Sequence, residues 1–295
     1  MTGTGYRFET GDDGVLRAGR WRWLRALGWM ATLLAAMIAI LSLQSVVHGI
    51  FPDDRVRLAM AFVSTALAYL AYAGLVRLGE KHVPQELSWR ALPRDLVAGM
   101  VAGGALFGLI FAILWLSGAY VVSAGVWSDW PHDLRETIGT GLLEELLARA
   151  IIFRLLARAF GLRWAFALSA AAFGAAHLGN DHASPFAAVA IAVEAGLMLA
   201  GFYVLTGRLW MSVGAHAAWN FMQGAVFGAR VSGIEGSGSL LVSHPAARVP
   251  DWWSGGAFGP EASLPAIAVG LSAFAATMLY RRHLMAHPLP EAAPA

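Results

Sequence analysis

The ten residues 141–150, GLLEELLARA, set two adjacent glutamates, Glu144 and Glu145, and an arginine, Arg149, into an otherwise apolar run. The chain around them is built for lipid. Of its 295 residues 58% are hydrophobic and 14% charged, against about 25% charged in a soluble domain. The mean hydropathy is +0.58. An ionised side chain at the centre of a membrane helix costs about 2.5–3.5 kcal/mol on insertion scales, so such groups face a bundle interior or a wet cavity. The stretch therefore predicts a membrane helix whose charges have partners elsewhere in the chain.

A spanning helix needs roughly 20 apolar residues. Working outward from 141–150, eight runs qualify: 24–50, 56–78, 95–122, 136–157, 163–178, 185–206, 209–228 and 263–281. The fold class expected is all-α, a polytopic transmembrane helical bundle of about eight spans. Residues 1–23 form a polar tail, 24–282 a single membrane domain with its distinctive core near 136–228, and 283–295 a second tail. The first span follows a polar, arginine-bearing leader without a small-residue cleavage site, so it reads as a retained anchor and not a signal peptide.

The basic residues orient the bundle. Arg7, Arg17, Arg20, Arg22, Arg25, Arg77, Lys81, Arg90, Arg94, Arg154, Arg158, Arg163, Arg208, Arg281 and Arg282 fall on one side of this layout, and Arg55, Arg57, Arg135, Arg230 and Arg248 on the other. The positive-inside rule then puts both termini in the cytoplasm. Trp21, Trp23, Trp127, Trp130, Trp164, Trp210, Trp252 and Trp253 lie near the proposed edges, as interfacial anchors do. Lys81 is the single lysine among 21 basic residues, a usage associated with GC-rich bacterial genomes. The expected location is the bacterial cytoplasmic membrane. A net charge of +2 without a basic run excludes nucleic acid as a partner, and the absence of cysteine excludes disulfides and thiolate metal sites. The connection 229–262 reads as a solvated extracytoplasmic connector, with a lid as the alternative.

Three helices carry polar groups. Glu145 and Arg149 are four apart, on one face, which by spacing alone favours a structural ion pair. Glu144 is turned about 100° away and has no partner in its own segment; a carboxylate so placed can act as a general base. Phe173 and His177, in FGAAHLGN, are one turn apart, as are His216 and Asn220, in GAHAAWNF. Each could be explained singly, as an interfacial histidine or an interhelical amide. One shared polar pocket accounts for all three helices at once. Its inventory can activate water, stabilise an oxyanion, or hold a divalent metal through nitrogen and oxygen. Glu194 is a further intramembrane acid, left outside this core set, and Asp181 and His182 read as an exposed turn.

The motifs EExxxR, FxxxH and HxxxN, in that order, resemble the CPBP group of intramembrane proteases, which includes the CAAX prenyl endopeptidases of the Ras-converting type and bacteriocin-processing and immunity proteins. The resemblance implies an intramembrane endopeptidase acting on a membrane-associated peptide or protein within the lipid bilayer. It implies that Glu144 activates water shared with His177, and that His216 and Asn220 form the oxyanion hole. Glu145 supports catalysis, and Arg149 and Phe173 are structural support. It also carries a metalloprotease alternative, in which His177, His216 and Glu144 would hold a divalent ion such as zinc. No HExxH motif occurs. Other readings of the same pocket are a non-catalytic binding or immunity scaffold and, against the lack of an inverted repeat, a transporter.

Overall fold

Long runs of alanine, leucine and valine with proline confined to first turns give long helices, and the computed structural model describes residues 8, 10–51, 53–236 and 238–287. Helix α1 (Arg22–Ile50) is followed by α2 (Asp54–Gly79). Asp53 caps α2, its carboxylate accepting from the backbone N–H of Arg55 at 2.8 Å and of Val56 at 3.2 Å. Helix α3 (Leu92–Leu116) has Pro93 in its first turn. Helix α4 (Trp130–Ile138) runs through wide π-type turns, Gly139–Glu144 and Leu146–Phe153, into α5 (Arg154–Phe160). Gly161, at φ +86°, turns the chain into α6 (Leu162–Ala176). Helix α7 (Pro185–Ile191) passes through a wide turn, Ala192–Leu197, into α8 (Met198–Thr206). Helix α9 (Trp210–Phe221) is extended by another, Met222–Val226. The short α10 (Asp251–Ser254) precedes the last helix, α11 (Leu264–Ala286).

Among the described residues five helical stretches are long and apolar enough to cross a membrane: Arg22–Ser42, Arg55–Gly79, Gln85–Leu116, Pro185–Thr206 and Leu264–Ala286. They correspond to the first, second, third, sixth and eighth expected spans. The other three expected spans, 136–157, 163–178 and 209–228, are helical throughout nearly all of their length, and they are the ones that carry the three motifs.

The all-α expectation fits, with one small addition. Strands β1 (Tyr120–Ala124) and β2 (Leu241–Pro245) form an antiparallel pair, with Tyr120 opposite Pro245 and Ala124 opposite Leu241. The third helix ends at Leu116, short of the expected 122, because Gly118 at φ +74° reverses the chain. The β-branched Val121 and Val122 then favour an extended ribbon. This ribbon ties the connection 229–262 to the end of α3.

Two interfaces place the site. Helices α3 and α9 approach closely through glycine: a Cβ on Gly99 would lie 2.1 Å from the Met211 carbonyl oxygen, and one on Gly103 2.1 Å from that of Ala215. Gly99 and Gly103 are a small-xxx-small pair, the pattern that lets membrane helices meet backbone to backbone. Ala215 precedes His216, so this contact fixes the depth and rotation of that histidine. At the other end, Arg154 is 1% exposed and donates to both Glu80 carboxylate oxygens at 2.6 and 2.7 Å, with Trp29 donating to the same group at 2.8 Å. Burial alone would raise the Glu80 pKa; the Arg154 guanidinium outweighs it and holds the carboxyl below its ordinary range. This pair anchors α5 to the turn after α2, so Arg154, counted above among the cytoplasmic charges, is an internal cation.

Candidate functional site

The wide turns at Gly139–Glu144 and Leu146–Phe153 deliver Glu144, Glu145 and Arg149. Such turns loosen the regular helix ladder and are frequent at functional sites. Glu145 and Arg149 are both fully buried. Arg149 Nε donates to Glu145 Oε2 at 2.9 Å. Its Nη1 also donates to the Gly196 carbonyl at 3.2 Å, so the guanidinium bridges this helix to the turn between α7 and α8. The Phe173 ring lies beneath the Arg149 guanidinium, 4.9 Å from centroid to Cζ.

The carboxylate of Glu145 has a second partner. Its Oε1 lies 3.0 Å from Nδ1 of His216. A carboxylate held by Arg149 accepts, so Nδ1 of His216 carries a hydrogen and Nε2 is the free ring nitrogen. His177 is set the same way. Its Nδ1 donates to the Phe173 carbonyl at 2.8 Å, leaving Nε2 free. The FxxxH spacing thus has two physical reasons: the one-turn hydrogen bond, and the packing of the Phe173 ring against both imidazoles, 4.9 Å from His177 and 6.1 Å from His216.

Glu144, His177, His216 and Asn220 line one cavity of about 260 Å³. The three motifs, expected to share a pocket, are brought together in it. Glu145, Arg149 and Phe173 lie behind its wall and hold the histidines. A second opening, a mostly apolar groove of about 270 Å³ between the 144–152 segment and α6, also reaches Glu144 and His177. Leu147, Ala148, Ile152, Ala172 and Ala176 line it.

The sequence reading missed part of the lining. Ser232, Ile234 and Glu235, from the connection 229–262, roof the cavity, and His132, Asp133 and Glu136 from α4 form its rim. Part of this connection is therefore a wall of the site and not only a solvated linker. The turn is pinned from below: Glu261, 2% exposed, accepts from the Ser232 N–H at 2.5 Å and from the Gln223 side-chain amide. Burial pushes the Glu261 carboxyl up to about 8, against the backbone hydrogen bond from Ser232 that lowers it. The GPE run around Glu261 was the available signal, since an acid next to glycine and proline in an apolar context needs a partner. Asp181 and His182 are exposed, as expected of a turn.

A metal needs three or more convergent donors. Among the described residues no three His, Asp or Glu side chains gather so as to hold one ion. His177, His216 and Glu144 share the cavity without forming such a set, so the donor geometry does not fit the metal alternative and no step is derived through one.

Residues 126–222 match a protein-family model described as type II CAAX prenyl endopeptidase Rce1-like. A search of curated proteins and a search of solved structures found no match. The matched segment runs from the rim of the cavity through Asn220 and contains every residue of the three motifs. The match supports the CPBP/CAAX protease family over that segment, and with it intramembrane protease activity in general.

Proposed function

We propose that this protein is an intramembrane endopeptidase that hydrolyses a peptide bond of a membrane-associated peptide or protein, with Glu144 as the base that activates water. The observation that carries the reading is the convergence of Glu144, His177, His216 and Asn220 on one cavity, above a fully buried Glu145–Arg149 pair that fixes the His216 ring. Glu144 takes a proton from the attacking water, whose oxygen bonds to the scissile carbonyl carbon. The Nε2 of His177 shares that water. Charge then developing on the carbonyl oxygen is met by the Asn220 amide and by Nε2–H of His216 in its imidazolium form. As the carbon–nitrogen bond breaks, Glu144 returns its proton to the leaving nitrogen.

The apolar groove that reaches Glu144 and His177 supports entry of an apolar substrate segment from the lipid side. The proposed setting is a bacterial cytoplasmic membrane, with about eight helical crossings and both termini cytoplasmic. The test is cleavage by purified protein in liposomes. Glu144→Gln, His177→Ala and His216→Ala are each expected to lower kcat by on the order of a hundredfold or more while the protein stays folded in the membrane. Retained cleavage in all three variants would contradict the proposal.

A further inference from the structure

Behind the catalytic cavity lies a smaller chamber that the mechanism above does not use. Its polar lining is His177, His216, Asn220, Glu194, Ser232 and Glu261, set among apolar side chains. Its volume is about 20 Å³; roughly 10–15 Å³ on this measure admits one water. Glu194 is 2% exposed, and its Oε2 is buried with no hydrogen-bond partner among the described residues. A buried acceptor left without a donor is costly. Glu261, by contrast, already accepts from Ser232 and Gln223.

Helix α11 backs directly onto Glu194. A Cβ on Gly270 would lie 2.5 Å from Glu194 Cα and 2.7 Å from its Cβ, so no room is left behind the residue and its carboxyl group faces the chamber. In the same lining, both histidines have Nδ1 engaged, by the Phe173 carbonyl and by Glu145, leaving Nε2 without a hydrogen bond among the described residues, and Asn220 offers an amide. Acceptors and donors thus line the space of a single water, which needs two to four such partners by a rough count.

We propose that this chamber is a water-retention site, in which Glu194 holds one water against the His216 and Asn220 side chains as the store that resupplies Glu144. The proposal rests on the hydrolase reading above. Each turnover consumes one water: its hydroxyl goes to the carbonyl carbon and its other hydrogen to the leaving nitrogen. In a lipid-embedded site the next water must come from a local reserve or from bulk. Glu194 acts here through that water, as a positioning residue and not as a catalytic one.

The test has two arms. The first is a structure of the wild-type protein at a resolution that shows ordered waters, which is independent of activity. Oxygen density within hydrogen-bond distance of Glu194 Oε2 is expected, and its loss in Glu194→Leu. The second is kinetic: Glu194→Leu is expected to lower kcat by on the order of tenfold, with KM changed by less than about twofold. Glu194→Gln, which still bonds water, is expected to restore most of kcat. A wild-type chamber without density overturns the proposal, as does Glu194→Leu with full kcat. A lower yield of folded protein with unchanged kcat per folded enzyme would make Glu194 a packing residue only, and also overturns it. Failure of the hydrolase reading would show differently, as no cleavage by wild type or full cleavage by Glu144→Gln.

Discussion

Glu145 Oε1 and His216 Nδ1 are 3.0 Å apart although 71 residues separate them in the chain. One carboxylate thereby joins two of the three motifs, and with Arg149 at 2.9 Å on its other oxygen both oxygens are engaged. Glu145 and Glu144 are neighbours in sequence with different work: Glu145 is locked in the wall, and Glu144 faces the cavity.

This division is testable by stability. Removing Glu145 leaves Arg149 buried without its counter-charge, a change that costs about 3–5 kcal/mol. Glu145→Ala is therefore expected to lower the thermal midpoint strongly, and Glu144→Gln to leave it nearly unchanged while cleavage is lost. Thermal unfolding in detergent checks both. Equal loss of stability in the two variants would count against the division.

A second expectation concerns the α3–α9 contact. A side chain at Gly103 has no space, because its Cβ would lie 2.1 Å from the Ala215 carbonyl oxygen. Gly103→Val should separate the helices, displace His216, and abolish cleavage even in protein that remains in the membrane. Gly108, whose Cβ would meet nothing within 4 Å, should tolerate alanine. Activity of the two variants in liposomes makes the comparison.

Stability should also depend on pH through Glu261. Burial raises its folded pKa from 4.5 to about 8. Between those values the unfolded chain releases a proton that the folded protein keeps. The stability it contributes is thus fully present below pH 4.5 and is lost as pH rises through about 8, by at most about 1.4 kcal/mol per pH unit. Glu261→Gln should flatten that slope relative to wild type in denaturation series run from pH 5 to 8. An unchanged slope would mean that Glu261 is ionised throughout.

Ligand geometry gives a fourth expectation. Since no three His, Asp or Glu side chains gather to hold one ion among the described residues, the proposed general base Glu144 should work without a metal, and dialysis against a strong chelator should leave the cleavage rate within about twofold of the untreated enzyme. Loss of activity that returns on adding zinc would contradict this.

Much of this was legible in the chain itself. GLLEELLARA carried a helix, the ion pair at one-turn spacing and a Glu144 turned to a different side from it, because those depend on local geometry. The common pocket followed from the cost of burying three polar groups separately. What was hidden depends on contacts between distant segments. The ribbon of Tyr120–Ala124 with Leu241–Pro245 is set by a partner strand more than a hundred residues away. The wide turns around Glu144, Glu194 and Gln223 depart from regular helical spacing without a sequence mark. Glu194 stood out as an intramembrane acid, but its place beside His216 depends on how α11 packs behind it at Gly270. The roof formed by Ser232 and Glu235 was hidden because a polar, glycine-rich connection reads as solvated until Glu261 is seen to pin it.

The central claim is that separate helices turn their acid and imidazole groups into one chamber. The wild-type chain has no cysteine, so a Glu144→Cys, His177→Cys double variant carries only the two thiols of interest. Treated in membranes with a short bifunctional thiol reagent and read by intact mass, it is predicted to give one intramolecular adduct with both thiols consumed. Two singly modified thiols, or two unreactive ones in folded protein, would contradict the account.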